Sequence, residues 1–164
     1  MLQEAQFTRI AEKYMDMIFR IAFNYLKDRA EADDVTQETL LKLYRTDKFF
    51  EGEAHIRNWL VRVTINCCKK ACLSPWRKRE PLEDYMEQLS FTTPEHGRLF
   101  YMTMELPRKY RLAIYFYYYE GYSTGEIAEL LHIPKATVAT HLHRGRELLK
   151  KKLCEEEQVY DANI

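Results

Sequence analysis

Four hydrogen-bonding side chains, Thr137, Thr140, His141 and Arg144, recur at i, i+3, i+4 and i+7, which on a helix places them on one face. Hydroxyl, imidazole and guanidinium groups in that array can donate to base edges and to phosphate oxygens. Lys135 and His143 lie among them, and Arg146, Lys150, Lys151 and Lys152 follow as candidate backbone contacts. Val138, Leu142 and Leu149 fall opposite, so one face packs while the other can read. An ordinary amphipathic surface helix shares this spacing, and the preceding residues set the segment apart. Ser123 with Glu126 three residues on forms a capping box, and Ile127, Leu130 and Leu131 make an apolar stripe. Ala128 is small enough for a second helix to cross closely. His132 and Ile133 make a turn, and Pro134 suits a first helical position that needs no amide donor. The order is that of a helix-turn-helix ending in a basic recognition helix, with DNA as the partner to consider first.

Charge patterning agrees once it is mapped along the chain. The 164 residues carry 25 Lys/Arg and 25 Asp/Glu, a neutrality that hides segregation. Residues 53–80 hold 7 basic and 2 acidic side chains, and residues 107–154 hold 9 and 4. The segments 1–52, 81–106 and 155–164 are net acidic. Screening confines fields to about 8 Å at physiological salt, so each basic block can attract a polyanion whatever the total charge. Two separate DNA contacts are the natural reading.

The apolar content, 46% with 13% aromatic residues, suffices for a core. No leader-like segment or bilayer-length apolar run occurs, so a soluble, cytoplasmic protein without membrane insertion is expected. Cys67, Cys68, Cys72 and Cys154 lack paired C-x-x-C knuckles and read as reduced, mostly buried thiols, with Cys68 and Cys72 at i, i+4 a minor metal or oxidation candidate. No cofactor or metal is expected.

Helical periodicity dominates the rest. Phe7, Ile10, Tyr14, Met17, Ile18, Ile21 and Tyr25 repeat with helical period to Leu26. Asp28 with Glu31 caps a second helix to about Arg45. Thr46–Gly52 reads as a loop before a third helix through Ile56, Trp59, Leu60, Val63 and Cys67. Val61, Val63, Thr64 and Ile65 have strand propensity, yet their flanks favour helix. Polar and proline-containing residues 78–93 read as a flexible linker. Thr93-Pro94-Glu95 opens a second helical unit, and Leu106-Pro107 marks a junction. An apolar aromatic helix is expected from Arg111 to Glu120, with Tyr115 to Tyr119 mostly core. Its run Tyr115 to Tyr119 is less suited to stacking single-stranded DNA, because consecutive helical residues face all directions. The expected fold is all-α: two small helical domains, the C-terminal one a helix-turn-helix.

These segments resemble the extracytoplasmic-function sigma factors, compact two-domain members of the sigma-70 family. Residues 32–40, ADDVTQETL, match the family's acidic D-x-x-Q-E-type segment, and Trp59-Leu60 through Asn66 matches its W-L-x-R-x-x-x-N segment. Leu106-Pro107-x-x-Tyr110-Arg111, Glu126-Ile127-Ala128 and Thr137-Val138 with Arg144 and Arg146 match the terminal domain. The resemblance implies a region 2-like domain at 1–77, the linker, a region 4-like domain at 94–154 and an acidic tail at 155–164. It implies a non-enzymatic initiation factor. The first domain would bind the RNA polymerase clamp through Asp33, Asp34, Gln37, Glu38 and Leu41, although without the resemblance such a face reads better as a solvated one. The −10 element would meet the loop Thr46 to Glu53, with Phe49 or Phe50 stacking on an extruded base, and Arg57, Arg62, Asn66, Lys69 and Lys70. By residue type Asn66 serves equally as a packing amide, the two phenylalanines equally as a local plug, and Trp59 reads as core. The second domain would bind the polymerase flap and the −35 element through Lys135, Thr137, Thr140, His141, His143, Arg144 and Arg146. Lys70 stands where many relatives are acidic, and His141 where many are basic. An anti-sigma partner is a further expectation.

Two rivals remain at this level. A stand-alone regulator would bind an operator by itself, often as a dimer. An enzyme would have to assemble a site from His55, His96, His132, His141, His143 and the cysteines, which show no H-E-x-x-H, phosphate-cradling glycine loop or nucleophile elbow.

Overall fold

The computed structural model describes residues 1–74 and 94–163. The expected linker, residues 78–93, lies outside the described residues. Those described form helices and no strand: α1 (Glu4–Leu26), α2 (Arg29–Arg45), α3 (Glu53–Cys72), α4 (Pro94–Met104), α5 (Arg108–Tyr118), α6 (Thr124–Leu131) and α7 (Lys135–Ala162). The chain divides into two units, Met1–Ser90 and Phe91–Ile164.

In the first unit α1, α2 and α3 pack on one another. The α1 stripe behaves as its spacing requires: Ile10, Tyr14, Met17, Ile18, Ile21 and Tyr25 are buried. Lys27 turns the chain in the left-handed region, φ 55°. Asp28, itself buried, then starts α2 by accepting a hydrogen bond from the Glu31 amide at 2.9 Å. The strand-forming run in α3 is helical because burial outweighs propensity. Val61, Thr64 and Ile65 are buried, and the Thr64 hydroxyl donates back to the Leu60 carbonyl at 2.7 Å. Trp59 departs from the expected core position. It is half-buried, packed edge-on against Phe50 rather than enclosed. Cys67 and Cys68 are buried as expected, whereas Cys72 is half-buried and Cys154 exposed.

In the second unit α5 is the element against which α7 is laid. Leu112, Ala113, Ile114, Tyr115 and Phe116 are buried along it, and buried Arg111 donates to the Leu106 carbonyl at 3.1 Å. The aromatic run, expected to be mostly core, is core only in part: Tyr115 and Phe116 are buried, whereas Tyr117 is 37% and Tyr118 52% exposed, because consecutive helical residues face different ways. Gly121, φ +69°, turns the chain. The Ser123–Glu126 capping box forms in both directions, with Glu126 N–H donating to Ser123 Oγ at 3.2 Å and Ser123 N–H to Glu126 Oε2 at 2.8 Å. His132 ends α6 in the left-handed region, φ 55° and ψ 45°, and Pro134 caps α7. The acidic segment 155–162 is the last part of α7, tied to α4 by the Arg98–Glu156 pair at 2.6 Å, while Lys152 just before it pairs with Glu105 beyond the end of α4.

Gly145 shows why α7 lies where it does. A Cβ there would sit 2.9 Å from Cγ1 and 3.2 Å from Cδ1 of Ile114, which is wholly buried. A mid-helix glycine costs up to about 1 kcal/mol relative to alanine, and here the cost is offset by the close helix crossing. Gly145→Ala should therefore destabilise the C-terminal unit, because overpacking of about 1–3 kcal/mol exceeds the propensity gain. Urea unfolding should show the lowered midpoint, and an unchanged or raised midpoint would refute the packing argument.

Candidate nucleic-acid interface

Burial sorts the residues of α7 into an inward, an outward and a flanking set. Val138, Leu142, Gly145 and Leu149 are buried. Lys135, Thr140, His143 and Arg144 are exposed, whereas Thr137 and His141 are half-buried. Arg144 makes no hydrogen bond or ion pair among the described residues, so its fork of donors is available to a ligand. The Thr140 hydroxyl donates to the Ala136 carbonyl at 3.1 Å, which leaves its oxygen as an acceptor. His143 Nε2 lies 3.3 Å from Glu147 Oε1.

His141 is on the flank, leaning on α5. Its ring meets Tyr110 edge-on at 5.5 Å between centroids, and its Nδ1 is covered with no hydrogen-bond partner. Burial first, and then the charge of Lys109, hold its pKa below the usual 6.5. The side chain is therefore a neutral imidazole at physiological pH rather than a cation offered to phosphate. Arg146 occupies another part of the α5 contact. Its Nε donates to Tyr118 Oη at 2.6 Å.

In the first unit the two neighbouring phenylalanines have parted roles. Phe50 is half-buried, edge-on to Trp59 at 5.5 Å and to His55 at 5.4 Å, and forms the local plug. Phe49 is 81% exposed, which leaves its faces open for stacking. On α3, Arg62, Asn66 and Lys70 are exposed and Arg57 and Lys69 half-buried. Exposure of Asn66 removes the packing-amide reading.

On α2, Asp33, Asp34 and Gln37 are exposed around Leu41, itself 50% exposed. Asp33 lies 3.6 Å from Arg29. Glu38 differs from the rest: it is half-buried and pairs with Lys42 at 3.2 Å and Lys70 at 3.6 Å. Burial raises its pKa, but the Lys42 hydrogen bond and charge, with Lys70 beyond, outweigh that and hold the carboxyl below 4.5. Glu38 is thus an internal tie between α2 and α3 as much as an outward acid. Gly145, Tyr110, Tyr117 and Tyr118 position α7 and were absent from the site expected from sequence. The glycine alone carried a signal, an unfavourable residue in a helix interior.

Residues 10–78 match the model of sigma-70 region 2, and residues 97–149 match that of sigma-70 region 4. The chain is 28% identical to the Bacillus subtilis ECF RNA polymerase sigma factor SigW, over 90% of this chain and 88% of that one. It is also 28% identical to the Haemophilus influenzae ECF RNA polymerase sigma-E factor, over 90% and 87%. This chain belongs to the extracytoplasmic-function sigma factors of the sigma-70 family. It is an alternative sigma factor and directs transcription initiation. Two solved structures share its fold. One is CnrH in complex with the cytosolic domain of CnrY, with TM-score 0.65, 20% identity and coverage of 93% of this chain and 90% of that one. The other is the Bartonella quintana sigma factor RpoE with the anti-sigma factor NepR, with TM-score 0.63, 17% identity and coverage of 90% and 96%. No helix among the sigma factor's described residues is long and apolar enough to cross a membrane.

The half-buried imidazole of His141 gives a pH prediction for the sigma factor. With a folded pKa below the unfolded one, the ring loses protons on folding, so its stability contribution is complete above the unfolded value near 6.5 and is lost as pH falls below it. Wild-type melting temperature should fall more between about pH 7 and 5 than that of His141→Phe, which keeps the aromatic contact. Identical pH dependence in the two proteins would show that His141 is not the responsible group.

Proposed function

We propose that α6 and α7 bind the −35 element, with Arg144, Thr140 and His143 reading base edges, Thr137 and His141 at the flank, and Lys135 and Arg146 contacting the backbone. The observation that carries this is the unpartnered guanidinium of Arg144 on the outward face of a helix-turn-helix whose opposite face is locked to α5. A bidentate arginine–guanine contact discriminates by about 1–3 kcal/mol, enough to set promoter choice.

The −10 element falls to the first unit. Exposed Phe49 stacks on an extruded base beside the Phe50 plug, while Arg57, Arg62, Asn66, Lys69 and Lys70 follow the single strand along α3. Asp33, Asp34, Gln37 and Leu41 dock the polymerase clamp, an acidic rim around an apolar anchor, and Glu38 braces that face against α3. The C-terminal unit meets the flap. The sigma factor acts in the cytoplasm without enzymatic activity of its own, and an anti-sigma protein holds it inactive, a reading supported by one fold relative having been solved with the anti-sigma factor NepR and the other with a protein partner, the cytosolic domain of CnrY.

Run-off transcription with bacterial core polymerase on the DNA upstream of the sigma factor's own gene tests the reading. A transcript that requires the protein and falls at least tenfold with Arg144→Ala supports it, since each 1.4 kcal/mol is a factor of about ten. No transcript there or on a promoter library, with tight binding of duplex by the protein alone, would put an operator-binding regulator in its place. Phe49→Ala should lower the yield from duplex template by about fivefold or more, in line with the roughly 1–3 kcal/mol of a base–aromatic stack. On a template with an unpaired −10 region the loss should shrink, and an equal loss on both templates would count against base capture.

A further inference from the structure

The contact between Arg146 and α5 is made of unusual parts for a surface ion. The guanidinium lies 5.6 Å from the ring centroid of Tyr117 and 5.5 Å from that of Tyr118. The two rings pack edge-on at 4.9 Å. Nε donates to Tyr118 Oη at 2.6 Å. No carboxylate takes part, and Arg146 has no other partner among the described residues. Both tyrosines and the arginine remain exposed.

Such an arrangement fixes a side chain that would otherwise sample many rotamers, without neutralising it. Of the five guanidinium N–H donors, one is used on Tyr118, which leaves the terminal nitrogens free. Because Tyr118 accepts from Arg146, its own hydroxyl proton is free to donate. The site therefore offers several convergent donors, one full positive charge and no acceptor aimed outward, which suits a phosphate oxygen. It belongs to the same helix as Arg144, two residues on, and to the flank adjoining α5, where a helix lying in a major groove meets a phosphate wall rather than a base edge.

We propose that Tyr117 and Tyr118 are positioning residues that hold Arg146 as a preformed clasp for a DNA phosphate beside the −35 element. This rests on the assignment of α7 to that element. The clasp adds affinity and fixes register, and carries no base preference. Tyr118 supplies a hydroxyl and Tyr117 mainly a ring face, so substitutions at the two positions separate hydrogen bonding from cation–π packing.

The test uses the holoenzyme and a labelled duplex of the promoter that supports run-off transcription, with affinity measured across a range of salt. Arg146→Ala should weaken binding about tenfold and reduce the slope of log affinity against log salt by about one. Tyr118→Phe, which keeps ring and charge, should weaken binding about threefold, and Tyr117→Ala by a similar factor. Arg146→Lys should restore the slope but not the full affinity. The ranking of single-base changes in the −35 element should stay as in wild type for all four. Affinity for core polymerase should also be unchanged, and circular dichroism should show each variant folded at the assay temperature. Wild-type affinity in both Arg146→Ala and Tyr118→Phe would overturn the proposal. So would an altered base ranking, which would make Arg146 a base reader, or a loss confined to core polymerase binding, which would make the patch a protein contact. Absence of any sigma-dependent transcript would instead remove the −35 assignment itself.

Discussion

The close approach of α7 to α5 is the constraint on which the C-terminal unit depends. Without a Cβ at Gly145, α7 can seat directly on the Ile114 side chain. That crossing sets which residues point outward. It carries His141 against Tyr110 and Arg146 against Tyr117 and Tyr118, so positions 110, 114 and 117–118 of α5 form a rail along α7. The capping box of α6 and the left-handed turn at His132 then need only deliver the chain to the start of that rail. Specific recognition requires donors held at fixed positions, and a helix seated by close packing meets that requirement better than one held by exposed ion pairs.

The first unit solves a different problem with the same economy of parts. Its exposed aromatic and amide groups must be available to a ligand yet correctly spaced. Phe50, Trp59 and His55 build a small aromatic plug at the start of α3 that fixes the loop beside it. Glu38 spans α2 and α3 through Lys42 and Lys70. The face proposed for polymerase and the helix proposed for DNA are therefore adjacent and tied through one side chain.

Much of this was legible in the chain because periodicity and caps are local. The α1 stripe, the Asp28 cap and the Ser123–Glu126 box act within a few residues, and the helices they imply are present. What sequence pattern could not supply was the third dimension of side-chain use. Nothing in residue type separates Phe49 from Phe50, because their difference lies in which one meets Trp59. Nothing in residue type separates His141 from Arg144 until the imidazole is seen packed edge-on against Tyr110 with its Nδ1 covered. Tyr117 and Tyr118 look like core by composition, and only the end of α5 decides otherwise.

The continuity of α7 from Lys135 to Ala162 has an electrostatic consequence of its own. A 28-residue helix spans about 42 Å, several screening lengths at physiological salt. Its cations, Lys135, Arg144, Arg146 and Lys150 to Lys152, come first, and Glu155, Glu156, Glu157 and Asp161 come last. In the field of a polyanion such a rod experiences a torque. Its basic part is drawn in while its acidic end is pushed out, so the helix approaches a polyanion with a preferred polarity.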